Sequence, residues 1–254
     1  MRSLKISKML IALILALCFF LNTSLVHAST FPNILLHGPR TRKWIALTFD
    51  ADMTPQMKKR LENGEVPSWY NEKVVQILRE TQTPATFFLT GMWTEIYPDT
   101  ARSFATDPLF EIENHSYSHP SFSGVCYGLR QIPNDQKLAE VQKAQQVILE
   151  KTGVAPHYFR FPGGCAGLDD IRLVKSQNLG IVGWDVISGD AFSSDEAKIE
   201  KHVLKKVQNG SIVVFHLNGG PNAPRTADAL EKIIPELKKR GFLFIQVKKM
   251  EGSK

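Results

Sequence analysis

His115 and His119 stand four residues apart in the segment His-Ser-Tyr-Ser-His, a spacing that brings two imidazoles to one face when the segment forms a helical turn. Adding the carboxylate of Asp52 gives two nitrogens and one oxygen, the donor mixture of a catalytic zinc-type site that keeps one position open for water. Asp50 and Asp52 flank Ala51 directly after the apolar run Ile45–Phe49. A lone carboxylate after a strand is ordinarily a turn or helix cap; two acids one residue apart in a tight loop can supply one metal ligand and one general base. Arg160 lies in Phe159–Arg160–Phe161–Pro162–Gly163–Gly164. Beside a carboxylate its guanidinium would hold the acid ionised and oriented, while the two glycines allow a backbone N–H to approach a developing oxyanion. His216 ends the apolar run Ser211–Phe215. One reading is a satisfied core histidine; the other is an acid that protonates a leaving group near neutral pH, oriented and made more basic by Asp190.

These side chains are far apart in sequence, so the fold must gather them. From Lys43 onward, short β-branched or aromatic runs alternate with helical patterns. Strands are expected at Trp44–Phe49, Ala85–Thr90, Leu109–Glu113, Tyr158–Phe161, Gly180–Trp184, Ser211–Phe215 and Phe242–Val247, about seven in all. Helices are expected around Val74–Leu78, Leu138–Ile148, Ile171–Val174, Val203–Val207 and Leu230–Leu237, with Gly153, Gly180, Gly210 and Gly241 closing them. Such alternation suits parallel strands with right-handed helical crossovers, as a barrel or as an open sheet, in one continuous α/β domain. The polar residues follow the strand runs, and in parallel α/β architectures the C-terminal strand ends share one rim.

The first 28 residues read as a secretory signal peptide. Arg2, Lys5 and Lys8 precede a thirteen-residue apolar run, Met9–Leu21, and Val26–His27–Ala28 meets the small-residue cleavage pattern, which gives a mature chain of residues 29–254. The run is short for a membrane span, so no stable membrane anchor is expected after cleavage; a retained N-terminal anchor is the alternative. Of the 254 residues, 43% are hydrophobic and 22% charged, which excludes disorder and a small disulfide scaffold. The signal carries three of the 31 basic residues and none of the 25 acidic ones, so the net charge falls from +6 to +3 on its removal. No basic run interleaved with aromatics remains, and nucleic-acid binding loses its support. Cys126 and Cys165 are the only cysteines left; export permits one disulfide between them, and two unpaired buried thiols are equally compatible.

Taken together, the motifs resemble the polysaccharide deacetylases, carbohydrate esterase family four, over roughly Lys43 to Lys249. Thr48–Phe49–Asp50, His115–Ser116–x–x–His119, Arg160–x–Pro162, Ser188–Gly189–Asp190 and Val214–Phe215–His216 stand in the family's order. The resemblance implies a distorted (β/α) barrel. It makes Asp50 the catalytic base, His115 and His119 metal ligands, Arg160 the tether of the base, and Asp190 the partner of the general acid His216, with Val214 lining the pocket. Three positions depart from the pattern. Ala51 separates the two acids, so the metal role passes to Asp52; Gly163 stands where an aromatic often follows the proline; and Ala191 replaces a common tryptophan. A cleft that is wider or differently shaped is expected from the last two.

The resemblance implies one divalent metal ion, with zinc expected, and an acetylated polysaccharide substrate of the peptidoglycan, chitin or poly-N-acetylglucosamine type. Such substrates fit an exported protein, whether periplasmic, cell-wall-associated or extracellular. The Gly163 N–H would share the oxyanion. Trp184 is the best placed of the four tryptophans to stack on a sugar ring, and His37, His157 and His202 read as surface or packing residues. O-acetyl ester or cyclic-amide hydrolysis on the same scaffold is one alternative, and a catalytically inactive carbohydrate-binding protein is another.

Overall fold

The computed structural model describes residues 34–251, so the expected signal peptide lies outside the described residues. The strands are β1 (Ile34–Leu35), β2 (Trp44–Ala51), β3 (Ala85–Leu89), β4 (Phe110–Asn114), β5 (Tyr158–Phe159), β6 (Gly180–Val182), β7 (Val186–Ile187), β8 (Ser211–His216) and β9 (Leu243–Phe244). All strand pairings are parallel, in the order β1-β6-β5-β4-β3-β2-β8-β7, with β9 added against the start of β2. Only residues 183–185 separate β6 from β7, yet β6 pairs with β5 and β7 with β8. One interrupted chain segment thus runs from β6, second from one end of the curled sheet, to β7 at the other end, which gives the distorted parallel barrel that the family resemblance implied. The expected strand Gly180–Trp184 is the first part of this segment; β1 and β7 were not foreseen. The run Phe242–Val247 holds only the two-residue β9 and then turns into helix.

Helices α1 (Pro55–Glu62), α2 (Glu72–Glu80), α3 (Gly91–Ile96), α4 (Pro98–Ala105), α5 (Lys137–Thr152), α6 (Leu168–Lys175), α7 (Glu196–Lys206), α8 (Thr226–Lys239) and α9 (Val247–Glu251) connect the strands. The five helices with apolar residues at three- and four-residue spacing were legible; α1, α3, α4 and α9 are short and carry weaker patterns. Gly153 takes the left-handed conformation after α5, as expected. Gly180 does not do so after α6: Asn178 (φ 59°) makes that turn, leaving Gly180 to open β6.

The two-residue period of a strand decides what faces the site. Along β2, Ile45, Leu47, Phe49 and Ala51 pack outward with Val74, Val75, Leu230 and Ile233 of α2 and α8. The alternate residues Ala46, Thr48 and Asp50 therefore face inward, where Ala46 clusters with Phe88, Val182 and Ile212. The apolar run Ile45–Phe49 is thus shared between the helical layer and the barrel interior. Phe159 and Phe161 pack outward in a second cluster, so Arg160 between them also points in. It is fully buried, with its guanidinium 3.9 Å from the Phe88 ring centroid.

Cys126 and Cys165 form a disulfide across a sequence separation of 39. In the chain-entropy account a closed loop of that size contributes about 4 kcal/mol by restricting the unfolded chain. The Cys126→Ser/Cys165→Ser variant is expected to lose about 2–4 kcal/mol of unfolding free energy in urea titrations; an unchanged midpoint would contradict this.

Candidate metal centre and catalytic cleft

Asp50 is still within β2 and Asp52 follows it immediately, so the two acids do not occupy the tight loop that was expected. The strand itself explains the intervening residue. Adjacent acids would point to opposite faces, whereas Asp-x-Asp turns both carboxylates inward and leaves Ala51 in the outer packing layer. Asn218 brackets this strand end: its side chain accepts from the Asp52 N–H at 3.1 Å and donates to the Asp52 carbonyl at 2.6 Å.

The segment His115–His119 is not a helical turn, which corrects the geometric reason given for the pairing. It is an irregular turn in which Ser116 (φ 67°) and His119 (φ 57°) take left-handed backbone conformations. Both imidazoles still converge, with ring centroids 5.0 Å apart. Glu140 on α5 offsets the strain by accepting from the Tyr117 and Ser118 N–H groups at 3.0 and 2.9 Å and from the Ser118 hydroxyl at 2.6 Å. Asn114 accepts from the Ser116 N–H at 2.8 Å.

Asp52 Oδ1 lies 3.4 Å from His115 Nε2 and 3.2 Å from His119 Nε2. Two ligand atoms bound at about 2.1 Å to a tetrahedral ion would sit about 3.4 Å apart, so the spacing fits one small cation. Asp52 Oδ1 and His115 Nε2 are buried and have no hydrogen-bond partner among the described residues, an arrangement that is costly unless an ion uses both. His115 Nδ1 is 2.8 Å from the Arg160 carbonyl oxygen. That oxygen can only accept, so Nδ1 carries the proton and Nε2 presents its lone pair to the centre. Burial alone would raise the carboxyl of Asp52, but the neighbouring imidazoles, His119 foremost and then His115, outweigh it. Asp52 is held well below the usual carboxylate range, in the ionised form a ligand requires. These three residues form a buried three-ligand metal-binding site.

Asp50 stands apart from that set. Arg160 Nη1 donates to its Oδ1 at 2.7 Å, and its Oδ2 faces His115 Nε2 at 3.6 Å. β8 pairs with β2 so that His216 is directly beside Asp50. His216 Nδ1 donates to Asp190 Oδ1 at 2.8 Å, which leaves Nε2 facing Asp52 Oδ2 at 3.9 Å. Asp190 also accepts from the Ser188 and Thr226 hydroxyls and from the His216 N–H. Burial opposes the charged form of His216, yet the charge and hydrogen bond of Asp190, with Asp52 and Asp50 beyond, push it up to about 10.

The cleft over these groups is lined by Gly163, Trp184 and Val214 together with Tyr127, Phe192 and Asn222, which sequence reasoning had not singled out. Gly163 adopts φ 62°, and a Cβ there would lie 2.5 Å from Cys126 Sγ and 3.1 Å from the Tyr127 ring. Gly163 therefore leaves no room for a side chain: Cys126 and the Tyr127 ring close over it. Asp185 stays outside the cleft, accepting from Arg40, Ser211 and the Ile212 N–H. His37, His157 and His202 are exposed and away from the site.

Fold and site together define a parallel α/β barrel with a metal centre at the C-terminal rim of its strands. The polysaccharide deacetylase family model matches residues 37–182, which include Asp50, Asp52, His115, His119 and Arg160. A peptidoglycan-N-acetylglucosamine deacetylase of Bacillus cereus is 29% identical over 213 residues, 84% of this chain and 70% of the relative. A chitooligosaccharide deacetylase of Sinorhizobium fredii is 27% identical over 74% of this chain and 88% of its own length. Among solved structures, the Bc1960 peptidoglycan N-acetylglucosamine deacetylase, bound to a naphthyl-substituted N-hydroxybenzamide, superposes with a TM-score of 0.72 at 28% identity, covering 85% of this chain and 91% of that one. The chain belongs to the polysaccharide deacetylase family.

Proposed function

We propose that this protein is an exported, zinc-dependent hydrolase that removes N-acetyl groups from N-acetylglucosamine-containing polysaccharide. The observation that carries the reading is the buried Asp52–His115–His119 set with Asp50 and His216 facing it from two adjacent strands. The relatives named above act on peptidoglycan and on chitooligosaccharide, and peptidoglycan lies outside the cytoplasm, as export requires. Among the described residues no helix is long and apolar enough to cross a membrane.

Asp52, His115 and His119 would hold a divalent cation, which when bound would supply Lewis acidity for a carbonyl and lower the pKa of a water from about 15.7 toward about 7. Asp50, fixed by Arg160 through one oxygen, takes the proton of the attacking water with the other. Water oxygen adds to the acetyl carbon, and the Gly163 N–H at the cleft wall helps to stabilise the oxyanion. His216 then gives its Nε2 proton to the amide nitrogen as the C–N bond breaks, and acetate and a free amine leave. Trp184 and Val214 shape the pocket for the acetylated sugar.

His216 must carry its proton to act, and its neighbours keep it charged above its ordinary 6.5. Loss of activity on the alkaline side is therefore expected above that value. Asp190→Asn removes a negative charge, lowers the His216 pKa, and should move the alkaline limb of kcat to lower pH; a limb that stays in place would contradict the assignment. The reading as a whole is tested by acetate release from a β-1,4-linked N-acetylglucosamine tetramer against an O-acetylated xylan. Release from the tetramer, dependent on added zinc, is the expected result. Release from the xylan alone would favour ester hydrolysis, and tight tetramer binding without metal or acetate release would favour a binding protein.

A further inference from the structure

Two large aromatic rings stand exposed at the mouth of the cleft. Tyr127 is 66% and Phe192 71% exposed, their ring centroids are 5.6 Å apart, and both line the same cleft as Asp52 and His216. Exposed rings of this size cost solvation free energy unless a ligand covers them.

Each ring is carried on an anchored loop. Tyr127 follows Cys126, which the disulfide ties to Cys165 just past the Pro162–Gly164 turn. Its ring lies close to the bare Cα of Gly163, where a methyl group would collide with Cys126 Sγ and press on the ring at 3.1 Å. The loop is closed on itself by the Leu129 N–H donating to the Cys126 carbonyl and by the Ser121–Gln131 bridge. Phe192 ends the short 3-10 turn Asp190–Phe192, whose first residue is fixed by His216 and Thr226, and its N–H donates to the Gly189 carbonyl at 3.0 Å. Two separate loops, one anchored by a disulfide and one by the partner of the catalytic imidazole, thus present two adjacent aromatic rings inclined at 39° to each other.

We infer that Tyr127 and Phe192 form a preorganised stacking platform for a neighbouring pyranose ring of an N-acetylglucosamine chain, next to the unit whose acetyl group enters the metal centre. The inference rests on the deacetylase reading for the identity of the chain, and on geometry for the platform. A β-linked pyranose has an apolar face of axial C–H groups that matches a flat aromatic ring, and the cleft joins the platform to the metal centre without a break. Because the two loops that carry the rings are anchored before binding, less entropy is lost when the sugar arrives than if the loops had to be ordered.

The test uses the Asp50→Asn protein loaded with zinc, so that the ligand survives titration, and measures Kd for the N-acetylglucosamine tetramer by calorimetry. Tyr127→Ala and Phe192→Ala should each weaken binding about ten-fold, equivalent to about 1.4 kcal/mol. Tyr127→Phe and Phe192→Trp, which keep a ring, should bind within about three-fold of the parent. Unfolding temperature and zinc content are recorded for each variant, and a fall in Kd-derived affinity that merely tracks lost zinc or fold would overturn the platform. So would alanine variants that bind as well as the parent, or better, the latter marking the rings as an obstructing gate. Failure of the deacetylase reading shows separately, as no acetate from the tetramer with the zinc-loaded unsubstituted protein, and the binding series is decided whichever way that assay falls.

Discussion

His119→Ala is expected to lose zinc and acetate release together. The substitution leaves Asp52 and His115 as two ligands, and His115 keeps its Nε2 lone pair because its Nδ1 is committed to the Arg160 carbonyl. Two ligands do not close a catalytic zinc site, which uses three protein donors and one open position. The loss should exceed the roughly 10²–10⁴-fold expected for removing a general base, because the source of Lewis acidity and of an ionisable water goes with the metal. Folding should survive, since the ring contributes no hydrogen bond through Nδ1 and Glu140 continues to hold the turn. Full zinc binding and full acetate release in this variant would remove His119 from the assignment.

Asp50→Asn separates base from ligand. Asparagine keeps the shape and an oxygen that can accept from Arg160 Nη1, so the buried guanidinium keeps a partner and the fold is retained. The amide cannot take a proton from water. The expected outcome is zinc content equal to that of the parent protein with kcat lower by about 10²–10⁴-fold. A kcat within about ten-fold of the parent would pass the role of base elsewhere; lost zinc would make Asp50 a ligand. This contrast with His119→Ala decides how the two acids of the Asp-Ala-Asp segment divide their work.

Much of this site was legible in the chain because each strand delivers its reactive residue at its own C-terminal end. The apolar runs of β2 and β8 pointed to Asp50 and His216, and parallel α/β order placed them on one rim. What periodicity hid was geometry set by single contacts. The four-residue histidine spacing suggested a helical turn, whereas Ser116 and His119 reach their positions through left-handed backbone conformations in a turn supported by Glu140, which lies 23 positions beyond Tyr117 and belongs to no motif. Asn218 and Thr226 act only through hydrogen bonds to Asp52 and Asp190, and nothing in their local sequence advertises that role. Tyr127 was invisible for a related reason: its place over Gly163 depends on a disulfide whose formation the sequence left open. Of the interrupted β6–β7 segment only the first piece was legible, because β7 is two residues long.

The most direct test of the central claim is anomalous diffraction at the zinc edge from crystals grown with equimolar zinc. One strong peak is expected at about 2.0–2.2 Å from an Asp52 oxygen and from one nitrogen each of His115 and His119, with Asp50 outside coordination distance. A peak bound by other residues, or no peak at this site, would contradict the account.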